Sequence, residues 1–178
     1  MSGRALLALA VAFTALAVAE NAARAEDDKR YEGALFSFRH PAAATVQPGA
    51  DPSADVAVTV TLKEVVASVL AGQKRVSDGE IEALATAWHG ARIKNRAAWG
   101  MKANGGPPRD AVRIADRRWL RWRDHIGSVL GAQEQTMTCG AVGGHLACVV
   151  VSAPQKEREQ SDALAAQLLG SLTIVKKH

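Results

Sequence analysis

The segment from Thr136 to Val151 constrains the fold of this chain more than any other, because it contains a turn and the only two cysteines. Gly143 and Gly144 stand between two apolar-rich runs, and a Gly-Gly pair readily supplies the positive φ angles of a two-residue hairpin turn. When the strands are counted outward from that turn, Cys139 lies opposite Cys148 in a non-hydrogen-bonded pair, where the Cα atoms are close enough to bridge. The segment therefore predicts a β-hairpin closed by a disulfide.

The predicted disulfide is a structural crosslink and not a redox centre. The spacing of the two cysteines differs from the Cys-x-x-Cys pattern of redox motifs. In the chain-entropy model, a bridge that closes a loop of about ten residues stabilises the fold by about 2 to 3 kcal/mol. Alternation along the hairpin also predicts one core face, which carries Met137, Cys139, Ala141, Leu146, Cys148 and Val150.

Residues 1–25 have the pattern of a secretory signal peptide. Arg4 precedes an apolar run from Ala5 to Ala19, and Ala-Arg-Ala then ends at Ala25, where we expect cleavage. The run is short for a spanning helix, although an uncleaved anchor remains the alternative. The mature chain, residues 26–178, is then predicted to be one soluble domain without a transmembrane segment, periplasmic or secreted, in a compartment that favours the disulfide.

Hydrophobic periodicity divides the mature chain into strands and helices. A short aromatic strand at 35–38 and an alternating strand at 55–62 come first, followed by a helix that a capping-box sequence, Ser77 to Glu80, starts near Asp78. A last helix is predicted at about 157–169. The segment 65–71 fits both periods and is left open. A frayed lead-in is predicted at 26–32, and loops are predicted at 42–55 and 97–110.

The segment 115–126 fits two structures. As a helix, its apolar residues fall at three- and four-residue steps; as a strand, Leu120, Trp122 and Ile126 face the core. We adopt the strand, because it then precedes the hairpin as the first strand of a meander. The predicted fold class is therefore α+β, an antiparallel sheet that includes a C-terminal meander, with two helices packed on it.

Catalytic and cofactor motifs are not found in the sequence. Neither a phosphate-binding loop nor a Gly-x-Ser-x-Gly motif is present, and the five histidines have no ligand spacing. No metal, cofactor or catalytic residue is therefore predicted. His89 is expected to point away from the apolar stripe of its helix, and Asp124 and His125 are expected at the surface.

The arginine- and tryptophan-rich segment is the one candidate binding site. On the strand interpretation Arg117, Trp119, Arg121 and Arg123 share a face that we expect to be exposed. Guanidinium groups beside an aromatic platform suit an anionic envelope component or an envelope protein. The alternative is a solvated face whose arginines pair with neighbouring carboxylates. On either interpretation, removing the arginines should change stability little, since exposed ion pairs contribute about 0 to 1 kcal/mol. A net charge of +4 is too small to predict nucleic-acid binding.

Two short motifs resemble the PsbP/DcrB-like exported domains. One is the aromatic strand that ends in proline, Phe36 to Pro41, and the other is the closing helix that runs into a short apolar tail, Leu168 to Leu172. The resemblance implies a non-enzymatic accessory or binding domain and assigns no site. The alternative function is a small periplasmic hydrolase whose site forms only in the fold, with His125 or His145 beside a serine or carboxylate.

Overall fold

The computed structural model describes residues 28–98, 110–128 and 131–175, which form ten strands and two α-helices. The helices are α1 (Asp78–Ala98) and α2 (Arg158–Ser171), and a short 3-10 helix, Gln155–Glu157, precedes α2. The strands are β1 (Asp28–Glu32), β2 (Phe36–Pro41), β3 (Thr45–Gly49), β4 (Val56–Leu62), β5 (Val65–Arg75), β6 (Asp110–Ile114), β7 (Arg117–Ser128), β8 (Gly131–Val142), β9 (His145–Pro154) and β10 (Thr173–Ile174).

A seven-stranded antiparallel sheet forms the centre of the fold. Its strand order is β3-β4-β5-β9-β8-β7-β6, and a separate three-stranded sheet has the order β1-β2-β10. The predicted meander is confirmed as β7, β8 and β9. β5, which the sequence left open, is a strand paired on both edges, and both of its faces are covered over most of its length. Such a strand loses the two-residue alternation that marks a half-buried one.

The β8–β9 hairpin has the predicted turn and register. Gly143 and Gly144 have φ angles of 58° and 82°, and Cys139 pairs with Cys148. The two sulfurs are bonded, with the Cα atoms 4.1 Å apart. The disulfide prediction is therefore confirmed.

The two helices cover opposite faces of the central sheet, so the α+β prediction is confirmed. α1 packs on the face that contains the disulfide, with a cluster that includes Leu70, Ile81, Ala85, Leu120, Trp122, Met137, Cys139, Leu146, Cys148 and Val150. α2 and the small sheet pack on the other face, around Phe36, Phe38, Val60, Val69, Trp119, Val149, Val151, Leu164, Leu168 and Leu169. The core is thus two apolar layers separated by the sheet.

The start of α1 differs in detail from the predicted capping box. The Glu80 carboxylate accepts hydrogen bonds from the Ser77 backbone N–H at 2.9 Å and from the Ser77 hydroxyl at 2.7 Å. Because that hydroxyl donates to Glu80, it does not cap the helix itself. Glu80 makes the capping contact, and the Ser77 bonds hold the pKa of its carboxyl below the usual value.

Four strands, β1, β3, β6 and the two-residue β10, lie where the sequence predicted none. The lead-in prediction is wrong for β1, whose Tyr31 stacks on Phe38 with ring centroids 5.0 Å apart. The loop prediction at 42–55 is wrong for β3, an edge strand that tolerates Pro48 because one side has no partner strand. β6 pairs with β7 through a turn at Ala115 and Asp116, which have φ angles of 47° and 60° without being glycine. The predicted signal peptide and most of the predicted loop at 97–110 lie outside the described residues.

Candidate functional site

Arg117, Trp119, Arg121 and Arg123 share one face of β7 as predicted, but that face is not an exposed platform. Trp119 is fully buried in the core layer that α2 covers, and its indole N–H donates to the Ile114 carbonyl at 3.3 Å. A Cβ on Gly140 would lie 2.8 Å from the Trp119 ring, so the ring is packed directly on that backbone. The expectation of an exposed tryptophan is wrong because a second layer packs on this face.

Arg121 and Arg123 have carboxylate partners inside the domain. Arg121 binds both carboxylate oxygens of Asp110 through its Nε at 3.1 Å, and this contact holds the pKa of the Asp110 carboxyl below its usual value. Arg123 contacts Glu134 at 3.2 Å and Asp162 of α2 at 3.1 Å. Both side chains therefore have a structural partner, and their role in binding stays a prediction.

Arg117 differs from the other two because it lines a cleft. The hairpin-end cleft, as we name it, has a volume of about 890 Å³ and lies where β5 ends and where β4, β7 and β9 begin. β10 and the segment before β2 form its opposite wall. It is lined by Ala34, Leu35, Val56, Gln73, Arg75, Arg117, Val142, Gly143, His145, Thr173, Ile174 and Val175.

The hairpin-end cleft is cationic. Arg75 and Arg117 contribute guanidinium groups, and none of the described residues that line the cleft is acidic. Within the described part of the chain, neither arginine has a carboxylate at ion-pair distance, unlike Arg121 and Arg123. Two guanidinium groups without counter-charges can hold a carboxylate or a phosphate through charge-assisted hydrogen bonds.

Hydrogen bonds and packing position the polar groups of the cleft. Arg117 donates from Nη1 to the Leu172 carbonyl at 2.9 Å, which fixes the side chain and leaves its other N–H groups for a ligand. The Arg75 guanidinium lies against the turn, since a Cβ on Gly144 would come within 3.3 Å of its Nε. His145 Nδ1 lies 3.1 Å from the Gly72 carbonyl, where the pairing of β5 with β9 becomes irregular.

A smaller groove of about 410 Å³ lies on the α1 side of the same end of the sheet. Arg117 and Arg118 line it together with Asp78 and Glu82. The lining of this groove carries both charges, so it has no single charge preference. The hairpin-end cleft is the better candidate for an anion.

A buried histidine–carboxylate pair lies between α1 and β7, and the sequence analysis missed it. His89 is 3% exposed and Asp124 is 5% exposed. His89 Nε2 lies 2.8 Å from Asp124 Oδ2, and the imidazole stacks on Trp122 with centroids 5.2 Å apart. The expected surface placement of Asp124 and the expected outward direction of His89 are both wrong, whereas His125 is exposed as predicted.

The spacing of the apolar residues in α1 indicates that His89 is buried. Ile81, Ala85 and His89 follow one another at four-residue steps and are the buried residues of α1.

Two arginines follow on the same helix. Arg92 forms an ion pair with Asp51, and burial lowers the pKa of Arg92 to about 10. Burial also lowers the pKa of Arg96, and the charge of Asp124 opposes that change. His89 thus joins α1 to β7, and Arg92 joins it to the loop between β3 and β4.

Neither a metal site nor a membrane-spanning helix is found in the part of the chain that the structure describes. No group of three or more histidine, cysteine, aspartate or glutamate side chains there could hold a metal ion. None of the described helices is both long and apolar enough to cross a bilayer.

Comparison with known proteins identifies the architecture. No protein-family model and no curated protein matches the sequence. A cyanobacterial PsbP (CyanoP) from Synechocystis, solved in solution, is similar in structure with a TM-score of 0.58 and 15% identity, over 84% of this chain and 93% of that chain. This chain has a PsbP-like architecture.

A crystal structure from Bacteroides thetaiotaomicron is similar to the same extent. It has a TM-score of 0.58 and 11% identity, over 85% of this chain. The match covers 50% of that protein, so the present chain spans about half its length. At these identities the likeness shows the fold alone. The resemblance to PsbP-like domains that the sequence predicted is therefore confirmed at the level of architecture.

Proposed function

We propose that this chain is an exported, non-enzymatic binding or accessory protein that holds an anionic group of an envelope component in the hairpin-end cleft. Export is supported by the signal-peptide pattern of residues 1–25 and by the Cys139–Cys148 disulfide, since such bonds persist in oxidising compartments. The same two features support a periplasmic or secreted location. The PsbP-like architecture agrees with an accessory role.

One observation carries the binding proposal: Arg75 and Arg117 line one cleft in which no described residue is acidic. Elsewhere in the domain arginines such as Arg121 and Arg123 have carboxylate partners. Guanidinium groups left without a counter-charge beside an apolar wall attract an external anion more strongly than they would in open water. Of the four residues that the sequence predicted to bind, the proposal retains Arg117.

The hydrolase alternative receives less support from the same cleft. His145 lines it, but neither a serine nor a carboxylate belongs to its described lining. The histidine that does have a carboxylate partner, His89, is buried between α1 and the sheet. A general base must lie within hydrogen-bond reach of the group from which it takes a proton. Because His145 has no serine or carboxylate beside it in the described lining of the cleft, we propose binding and not hydrolysis.

Nuclear magnetic resonance of the ¹⁵N-labelled mature protein tests the proposal with inorganic phosphate as the probe. We expect shift changes at the backbone amides of Gly143, Gly144 and His145, and their loss in Arg117→Gln. Arg113→Gln is the matched control. Arg113 is exposed on β6, and its substitution removes the same charge outside the cleft. Shift changes that persist in Arg117→Gln, or that Arg113→Gln removes equally, would reject the cleft as the site.

A further inference from the structure

The hairpin-end cleft has an apolar wall, by which we mean the apolar side chains that several parts of the chain contribute to its lining. Leu35 precedes β2, Val56 begins β4, Val142 ends β8, and Ile174 and Val175 lie in and after β10. These side chains line one cavity although they come from four separate segments of the chain. The wall is therefore a feature of the tertiary fold and not of any single strand or helix.

Val175 shows that this wall is open to a ligand. In the described residues, Val66 and Val175 are the large hydrophobic side chains that remain exposed, at 40% and 37%. Val175 lines the cleft, whereas Val66 lies near the opposite end of β5 from Arg75. An exposed valine beside the half-buried side chains of Leu35, Val56 and Ile174 is an apolar surface that a ligand could cover.

The apolar wall is held in place by backbone and side-chain contacts. The Val175 N–H donates to the Leu35 carbonyl at 2.9 Å, and the Thr173 and Ser37 hydroxyls lie 2.8 Å apart. Ile174 packs on the hairpin turn, since a Cβ on Gly143 would lie 3.2 Å from its side chain. The cleft is thus formed before a ligand binds, which reduces the entropy that binding costs.

We propose that the ligand of the hairpin-end cleft is an anionic amphiphile, whose head binds Arg75 and Arg117 and whose alkyl chain covers the apolar wall. This inference rests on the proposed function and names the class of ligand. A small hydrated anion would leave the wall in contact with water, whereas an alkyl chain would gain free energy with every methylene it buries. The volume of about 890 Å³ is within the usual range for small-molecule sites.

Calorimetric titration of the mature protein with acetate, butyrate, hexanoate and octanoate, each below its micelle concentration, tests the alkyl chain. We expect the affinity to rise about threefold to fourfold for each methylene that the wall buries. Octylammonium, which has the same chain and the opposite charge, should not bind. Val175→Ser should weaken octanoate binding at least about threefold and leave acetate unchanged, and the matched control Val66→Ser should change neither.

The outcomes separate this inference from the proposed function. An affinity that does not change with chain length, but is lost in Arg117→Gln, would reject the amphiphile and keep anion binding. If Arg117→Gln leaves carboxylate binding unchanged, or if no carboxylate binds to the unmodified protein, both the amphiphile and the anion-binding function are rejected. Equal effects of Val175→Ser and Val66→Ser would also reject the amphiphile.

Vesicles distinguish the two sources of such a ligand. In one outcome, the protein sediments with vesicles that contain an anionic phospholipid and not with purely zwitterionic vesicles. If Arg117→Gln abolishes that sedimentation, the head group belongs to a membrane lipid. Octanoate binding without sedimentation would assign it to a free amphiphile. Both results support the inference, whereas equal sedimentation with zwitterionic vesicles would show that the arginines are not involved.

Discussion

The imidazole of His89 and the carboxylate of Asp124 meet at 2.8 Å between α1 and β7, and both side chains are almost completely buried. Each is the hydrogen-bond partner of the other in a region from which water is largely excluded. Such a pair contributes little when intact, but the loss of one partner leaves a buried polar group without compensation.

His89→Ala should therefore lower the free energy of unfolding by about 3 kcal/mol, because it strands the Asp124 carboxylate and removes the stacking on Trp122. The matched control is His125→Ala, which removes an exposed imidazole and should change stability by no more than about 0.5 kcal/mol. Urea unfolding of the two variants provides the measurement. Equal destabilisation would show that the pair does not hold α1 on the sheet.

Arg123→Ala should destabilise the domain by about 2 to 3 kcal/mol, contrary to the nearly silent change expected of an exposed arginine. Arg123 lies between Glu134, which is 6% exposed, and Asp162 of α2. Its removal leaves the buried Glu134 carboxylate with the longer contact from the exposed Arg158, whose Nε lies 3.6 Å away. The comparison is Arg121→Ala, whose partner Asp110 is far more exposed, and which should cost at most about 1 kcal/mol. A smaller effect for Arg123 than for Arg121 in chemical denaturation would contradict this ranking.

Ala115→Gly should raise stability by about 0.5 to 1 kcal/mol. Ala115 has a φ angle of 47°, a left-handed conformation that costs an alanine about 1 kcal/mol and a glycine almost nothing. Ala111→Gly on the neighbouring strand β6 is the control, and it should destabilise the protein because it only adds freedom to the unfolded chain. Thermal unfolding measures both. If both glycines destabilise, the β6–β7 turn is not left-handed in solution.

The Arg121–Asp110 contact should appear in the pH dependence of stability. The hydrogen bonds from Arg121, with smaller help from the charges of Arg121 and Arg123, hold the pKa of Asp110 below its ordinary value of 3.8. The carboxylate therefore stabilises the folded state above the unfolded pKa, and that stability is lost as the pH falls through the lower folded pKa. Asp110→Asn should flatten the acid limb of the stability curve.

Arg121→Gln should flatten the same limb, and the double variant should add nothing, because both changes break one contact. Denaturant melts from neutral to acid pH provide the curves. Additive effects of the two substitutions would show that Asp110 and Arg121 act on different partners.

Local sequence signals predicted the parts of the fold that depend on neighbouring residues. The Gly143-Gly144 turn determined the hairpin and the facing of Cys139 and Cys148, since the register is counted outward from the turn. The β6–β7 turn was missed for the converse reason, because Ala115 and Asp116 occupy positions at which a glycine or asparagine is normally the signal.

The candidate site depended on contacts between distant segments, which no local pattern contains. Alternation correctly placed Trp119 and Trp122 on opposite faces of β7, but it gave no information on which faces other elements would cover. Arg117 was found as a candidate, whereas Arg75 and Val175 were not, because their neighbours in the cleft come from distant segments of the chain. The burial of Asp124 was missed because its partner is on α1.

The disulfide joins residues only nine apart in sequence, and this spacing has a consequence for the order of assembly. Contact between the two cysteines across so short a loop takes about 10 to 100 ns, whereas the oxidation that forms the bond takes seconds to hours. β5 meets β9 only after a far larger loop closes, since Val69 pairs with Val149, and such non-local pairing is slow. The β8–β9 hairpin can therefore form first, with the free edge of β9 as the template on which the first half of the chain completes the sheet, and the disulfide then fixes a register that the hairpin already has.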